Sequence, residues 1–242
     1  MIAALPMYHR AETADATDRL WAGIRDGLRD RGIAAPKALT RDMDLWDVWT
    51  SSEMVFAQTC GLPLRARLMD KVAVLGSPVF DLPDCPPGDY YSVIVARPGA
   101  LPTAPRLAVN DPLSQSGWAN LLEWLEDTGT IAGPATLTGA HRASARAVAE
   151  GAADLAAIDA QTWWLIEAHD PWSHDLSVIG RTRAIAGLPF IAPPGADIET
   201  YRAAVAAAIQ ALPAGDRAAL NLTGFHPLSA AAYADRKIPP AP

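Results

Sequence analysis

The stretch Asn110-Asp111-Pro112-Leu113-Ser114-Gln115-Ser116-Gly117 lies between an apolar run, Arg106 to Val109, and an amphipathic one carrying Trp118, Leu121, Leu122 and Leu125. This order reads as strand, turn and helix start. A helix start needs one capping side chain, and a serine in that role is worth about 1 kcal/mol. Here two hydroxyls, three side-chain amides or carboxylates and a glycine converge on one turn. In α/β sheets, free N–H groups and the helix dipole point to where a strand ends and a helix begins, which suits an anion. Ser114 and Ser116 can add donors, and Gly117 lets a ligand approach the backbone. The plain alternative is that Ser114 or Ser116 is only the N-cap. A nucleophile elbow is excluded, because the G-x-S-x-G pattern is absent.

A second polar cluster follows. His141 comes after the strand-like Ala135-Thr136-Leu137-Thr138 and a glycine, so it opens a helix, with Ser144 one turn on. A protonated histidine there adds a charge-assisted bond to an anion. Asp159 ends the run Leu155 to Ile158, where it can receive a donor group of a ligand or cap the next helix. Metal binding is not expected: His141 has no His or Cys partner at ligand spacing, and His169 and His174 share a loop with Asp170 and Asp175. No cofactor motif is present. Tyr8, just beyond the first strand, Trp46 and Trp49 before a helix that Ser51 or Ser52 can cap, and Tyr90 before an apolar run are placed to wall a pocket or simply to pack.

The elements that must position these groups alternate. Strands are expected at Ile2–Leu5, Lys71–Leu75, Ser92–Ala96, Arg106–Val109, Leu155–Ile158, Ser177–Ile179 and Pro189–Ala192. Helices are expected from Asp15 to Gly32, with Leu20, Trp21, Ile24 and Leu28 at helical spacing, and over Ser116–Asp127, Ala140–Glu150, Asp159–Ala168, Ile198–Leu212, Ala214–Leu220 and Leu228–Arg236. Trp21, Trp118 and Trp124 fall at core spacing. The alternation predicts an α/β fold of mostly parallel sheets. The Pro-rich end reads as disordered.

Composition narrows the partners. The chain has 242 residues, is half hydrophobic and carries a net charge of −7. That is ample for a buried core, and no basic stripe suggests nucleic acid. No stretch reaches the roughly 20 apolar residues of a membrane span, and the first residues lack the pattern of a signal peptide. The two cysteines, Cys60 and Cys85, are too few for a disulfide scaffold and pair only in an oxidising compartment.

Taken in order and spacing, FAQTCGLPL (56–64), DCPPGDYYSVIVAR (84–97), VNDPLSQSG (109–117), the Thr138–Ser144 segment and GAADLAAID (151–159) resemble one family. It is the phosphate/phosphite/phosphonate-binding group of ABC-transporter substrate-binding proteins. The resemblance implies a type 2 periplasmic-binding-protein fold: two α/β lobes, with residues 1–96 and 181–242 in the first and 97–180 in the second, and a ligand cleft closed by a hinge. It implies that Ser114, Gln115, Ser116 and Gly117 form the anion-binding turn, with Gln115 standing where relatives often have threonine. It also implies ligand roles for His141, Asp159, Tyr90, Ser92 and, from the first lobe, Trp46, a disulfide between Cys60 and Cys85, and a monomer. Asn110, Ser144 and Tyr8 complete the candidate set. No Lys or Arg lies within the Ser114–Gly117 turn itself, so helix dipoles and His141 must balance the charge.

The function this implies is capture of a small phosphate- or phosphonate-type anion for transporter membrane subunits, without chemistry and without membrane insertion. Two other readings compete. One is a cytoplasmic enzyme of the same fold acting on a small carboxylate with His141 as general base; the other is a sensor lacking an export signal. A periplasmic location follows if an export signal precedes this sequence, and a cytoplasmic one if Met1 is the native start.

Overall fold

The computed structural model describes residues 1–242. The chain folds into two compact units. Unit 1 comprises Met1–Asp89 and Ala186–Arg236; unit 2 comprises Tyr90–Ile185 and Lys237–Pro242.

Unit 1 begins with β1 (Ile2–Ala4), α1 (Ala14–Arg29), α2 (Leu45–Thr50), β2 (Met54–Gln58), α3 (Gly61–Pro63, continuing into a wide turn over Leu64–Leu68), β3 (Ala73–Phe80) and β4 (Asp89–Tyr90), where the chain passes into unit 2. Asp44, not a serine, caps α2 by accepting from Trp46 N. The segment after Ser51 and Ser52 is a strand, not the expected helix: it pairs in parallel with β1, with a register shift that puts Met54 and Ala57 in one core and Phe56 in the other.

Unit 2 contains β5 (Ser92–Ala96), β6 (Leu107–Val109), a π-turn over Gln115–Ala119 leading into α4 (Asn120–Thr128), β7 (Ala135–Leu137), α5 (His141–Ala149), β8 (Leu155–Asp159), α6 (Ala160–His169), β9 (Ser177–Arg181) and β10 (Ile185–Ala186). The chain returns to unit 1 as β11 (Phe190–Ala192), α7 (Ile198–Ala211), α8 (Ala214–Ala219), β12 (Leu222–Pro227) and α9 (Ala231–Ala234).

The unit 1 sheet runs β1-β2-β11-β3-β12, and that of unit 2 runs β7-β6-β8-β5-β9. Both are mixed, which corrects the expectation of mostly parallel sheets. In unit 1, β1 and β2 are parallel, but β11 enters antiparallel between β2 and β3, and β12 pairs antiparallel with β3. In unit 2, β6 is parallel to both β7 and β8, while β5 is antiparallel to β8 and β9. Strand β12 falls in a segment expected to be loop before a final helix.

The unit boundaries also differ from the expected 97 and 180. Strand β5 belongs wholly to unit 2, because its hydrogen-bonded neighbours β8 and β9 lie there. The Pro-rich end is likewise part of unit 2, where the Pro240 carbonyl accepts from Trp118 Nε1 at 2.7 Å.

Alternate residues of the unit 1 strands feed two cores. Ala3, Phe56, Leu75 and Phe190 pack with Leu20, Trp21, Ile24 and Leu28 of α1 and Val205 and Ile209 of α7. Ile2, Met54, Val74 and Ile191 pack on the other face with Val48, Trp49, Leu68 and Tyr233. In unit 2, Ile94, Leu107, Val109 and Leu155 pack with Trp118, Leu121 and Leu125. No helix is long and apolar enough to cross a membrane.

Candidate functional site

The turn between β6 and α4 is wider than a capped helix start requires. Ser114 is the N-cap, its Oγ accepting from Gly117 N at 2.9 Å. The Ser114 carbonyl then accepts from both Trp118 N (3.2 Å) and Ala119 N (3.1 Å), so the first turn is expanded into a π-turn, a form concentrated at functional sites. Ser114, Gln115, Ser116 and Asn120 are all buried, and buried polar groups are costly unless hydrogen-bonded.

Their partners form a chain. Gln115 Nε2 donates to Asn120 Oδ1 (2.7 Å), Asn120 Nδ2 donates to Ser92 Oγ (3.3 Å), and Ser92 Oγ donates to the Ser116 carbonyl (3.0 Å). Ser92 is held in turn by Thr182, whose Oγ1 accepts from Ser92 N at 2.9 Å. The hydroxyls of Ser114 and Ser116 lie 3.4 Å apart, and Ser116 Oγ shares a 2.6 Å hydrogen bond with His141 Nε2. The two clusters noted in the sequence are therefore one.

His141 opens α5, and part of the residue remains exposed, but Nδ1 is sealed from the surface without a partner of hydrogen-bond geometry. Burial pushes the imidazole down to about 4, weakly opposed by the Ala157 carbonyl. The ring is therefore neutral at pH 7 in the protein alone. Asn110 Oδ1 is also buried without a partner. Gly117 explains how these groups fit: a Cβ there would lie 1.8 Å from Asn110 Oδ1 and 3.1 Å from His141 Cε1.

Other candidates are near this cluster in the fold but bonded elsewhere. Ser144 Oγ shares a 2.6 Å bond with Thr138 Oγ1, which also donates to the Val109 carbonyl at the end of β6. Asp159, opposite Ser92 in the sheet register, is buried and caps α6 by accepting from Thr162 N at 3.0 Å. Tyr90 is buried, hydroxyl included.

Tyr8 and Trp46 belong to unit 1. Tyr8 packs edge-on against Phe80 with ring centroids 5.0 Å apart. Trp46 packs edge-on against Trp49 at 5.2 Å, with the Arg67 guanidinium 4.8 Å over its ring. Cys60 is buried, Cys85 half-buried, and both are thiols, so the implied disulfide is not formed in this structure.

The sequence reading missed Asn120, Thr138 and Thr182. Only Asn120 carried a signal: it lies four residues after Ser116, a polar side chain on the face that carries Ser116 into the core.

Comparison with known proteins decides what kind of protein carries this turn. The sequence model of a family described as "ABC transporter, phosphonate, periplasmic substrate-binding protein" matches residues 86–235. The chain belongs to this family. As a phosphonate-transporter substrate-binding protein it resembles solved structures at low sequence identity. PhnD1 from Prochlorococcus marinus, in complex with methylphosphonate, is 15% identical over 96% of this chain and 94% of that one, with a TM-score of 0.68. A binding-protein component of an ABC phosphonate transporter from Pseudomonas aeruginosa is 13% identical over 96% and 82%, with a TM-score of 0.70. A Xanthomonas citri protein bound to ATP is 15% identical over 96% of each chain, with a TM-score of 0.68. No curated protein sequence matches the chain. The structures share the periplasmic-binding-protein fold with this family member, and the family serves transport in the periplasm.

Proposed function

We propose that this protein captures a small phosphonate- or phosphate-type oxyanion on the turn Ser114–Gly117 and delivers it, after hinge closure of its two units, to the membrane subunits of an ABC transporter. The observation that carries this reading is the surplus of buried polar groups on the turn. Capping uses only Ser114, whereas Ser116, His141 and Asn110 meet on Gly117, the residue whose missing Cβ lets them do so. Hydroxyls and backbone N–H groups at a helix N-terminus bind an oxyanion without any formal positive charge.

The assignments differ in kind. Ser114, Ser116, Gly117, His141 and Asn110 are proposed to face the anion. Gln115, Ser92 and Ser144 are proposed to hold those groups in place, since their own polar atoms bond within the protein. Tyr90 is proposed to contact the rest of the ligand, and Asp159 to serve chiefly as the cap of α6.

Isothermal titration calorimetry with methylphosphonate, phosphite and phosphate tests the reading. Saturable one-to-one binding of at least one of the three is expected. Heat from none of them, together with binding of a small carboxylate, would transfer the site to a different ligand class.

A further inference from the structure

The hydrogens available at Ser116 and His141 do not suffice for an oxyanion while the imidazole is neutral. The Ser116 hydroxyl has one hydrogen, and its oxygen lies 2.6 Å from His141 Nε2. A neutral imidazole has one N–H. If that hydrogen is on Nδ1, Nε2 must accept from Ser116, and Ser116 turns only lone pairs toward an incoming anion. If it is on Nε2, Ser116 is released to donate outward, but Nδ1 becomes a bare acceptor in a sealed position where the Ala157 carbonyl, another acceptor, is the polar group acting on the ring. Only the doubly protonated ring meets both conditions, with Nε2–H donating to Ser116 and Nδ1 no longer a bare acceptor in its sealed position.

Building on the oxyanion reading above, we propose that His141 takes up one proton when a phosphorus oxyanion binds at Ser116, so that the site recognises the anion together with a proton. The proton comes from water or from the acid form of the ligand and resides on the imidazole; no covalent bond is made. In the protein alone burial keeps the ring neutral, and a charge brought within hydrogen-bonding distance of Ser116 offsets that penalty.

The charged groups on and beside α5 are engaged elsewhere. On α5 itself, Arg142 grips the buried Asp170 through Nε and Nη2, and Arg146 pairs with Glu150. Around it, Arg97 at the end of β5 donates to the Val148 and Ala153 carbonyls, Arg106 before β6 pairs with Asp154, Asp111 accepts from Leu113 N, and Asp159 of β8 caps α6. Glu167 and His169 on α6, and His174 and Asp175 just beyond it, likewise do not act on the ring.

The test uses the full chain and methylphosphonate. Nitrogen-15 NMR of the complex at pH 7 is expected to show both His141 nitrogens protonated, against one in the free protein. A second arm compares the parent with His141→Gln, which retains an N–H for Ser116 but cannot titrate. Above the second ionisation of the ligand, one proton of linkage lowers parent affinity about tenfold per pH unit, and the variant is expected to show no such fall. A neutral His141 in the complex, or an equal fall in both proteins, overturns the proton uptake while leaving oxyanion binding intact. Failure of methylphosphonate, phosphite and phosphate all to bind overturns both.

Discussion

Unit 2 starts two helices after neighbouring parallel strands, and the two junctions differ. Strand β8 runs straight into α6, with Asp159 both its last residue and the cap that accepts from Thr162 N. Strand β6, paired in parallel with β8, reaches α4 only after residues 110–119, which include a capping serine, an expanded turn and several further buried polar groups. One side chain suffices to start a helix at β8. The surplus at β6 therefore calls for another explanation, and the contacts of Ser116 and His141 across Gly117 suit the anion cradle that we propose.

Four experiments can break or sharpen that contrast. Gly117→Ala places a methyl group against Asn110 and His141; overpacking on this scale costs up to about 3 kcal/mol, and methylphosphonate binding should be lost with it. Denaturation showing undiminished stability, with binding retained, would mean the cradle has room that the structure denies it.

The next effect is on pH dependence. His141 has a folded pKa of about 4, below the ordinary 6.5, so the unfolded chain takes up its proton first. The full stability is present above pH 6.5 and is lost as the pH falls toward 4, at most about 3.5 kcal/mol from a shift worth about 1.4 kcal/mol per unit. Urea unfolding of the parent at pH 7 and pH 4.5, set against His141→Gln, should show the steeper acid loss in the parent. Equal slopes would place the imidazole in water.

Ser116→Ala leaves the Ser114 cap untouched, so folding should change little while anion affinity falls by about 1–3 kcal/mol. Unchanged affinity would reduce the β6 junction to an elaborate cap. The smallest effect belongs to β8. Asp159→Asn preserves a good N-cap residue and the acceptor that Thr162 N needs, so both stability and affinity should stay within about 1 kcal/mol of the parent. A loss of affinity as large as that of Ser116→Ala would erase the distinction between the two junctions.

Much of unit 2 was legible beforehand because its signals are local. Helical spacing located α4, α5 and α6; apolar runs located β5, β6 and β8; and the crowding of hydroxyls and amides at residues 110–117 marked the expanded turn that we propose as the cradle. Strand β12 was not legible, since Leu222–Pro227 mixes polar, glycine and proline residues and is ordered by pairing with β3. The helix expected after Ser52 failed for a related reason: Met54–Gln58 is held by pairing with β1 and β11 and sends side chains into two different cores.

By itself, then, the sequence determined the α/β class, the order of most elements and the residue types at the cradle, because periodicity, turn residues and capping act over a few positions. The tertiary structure alone decided that the sheets are mixed, that the chain changes units at 89–90, 185–186 and 236–237, that the Gln115, Asn120 and Ser92 side chains link by hydrogen bonds to the Ser116 carbonyl, and that His141 is neutral. Ser92 and Ser116 lie 24 positions apart, and Ser116 and His141 lie 25 apart. Bonds over such separations, and the exclusion of water that sets the imidazole's charge, arise only when distant strands are brought side by side.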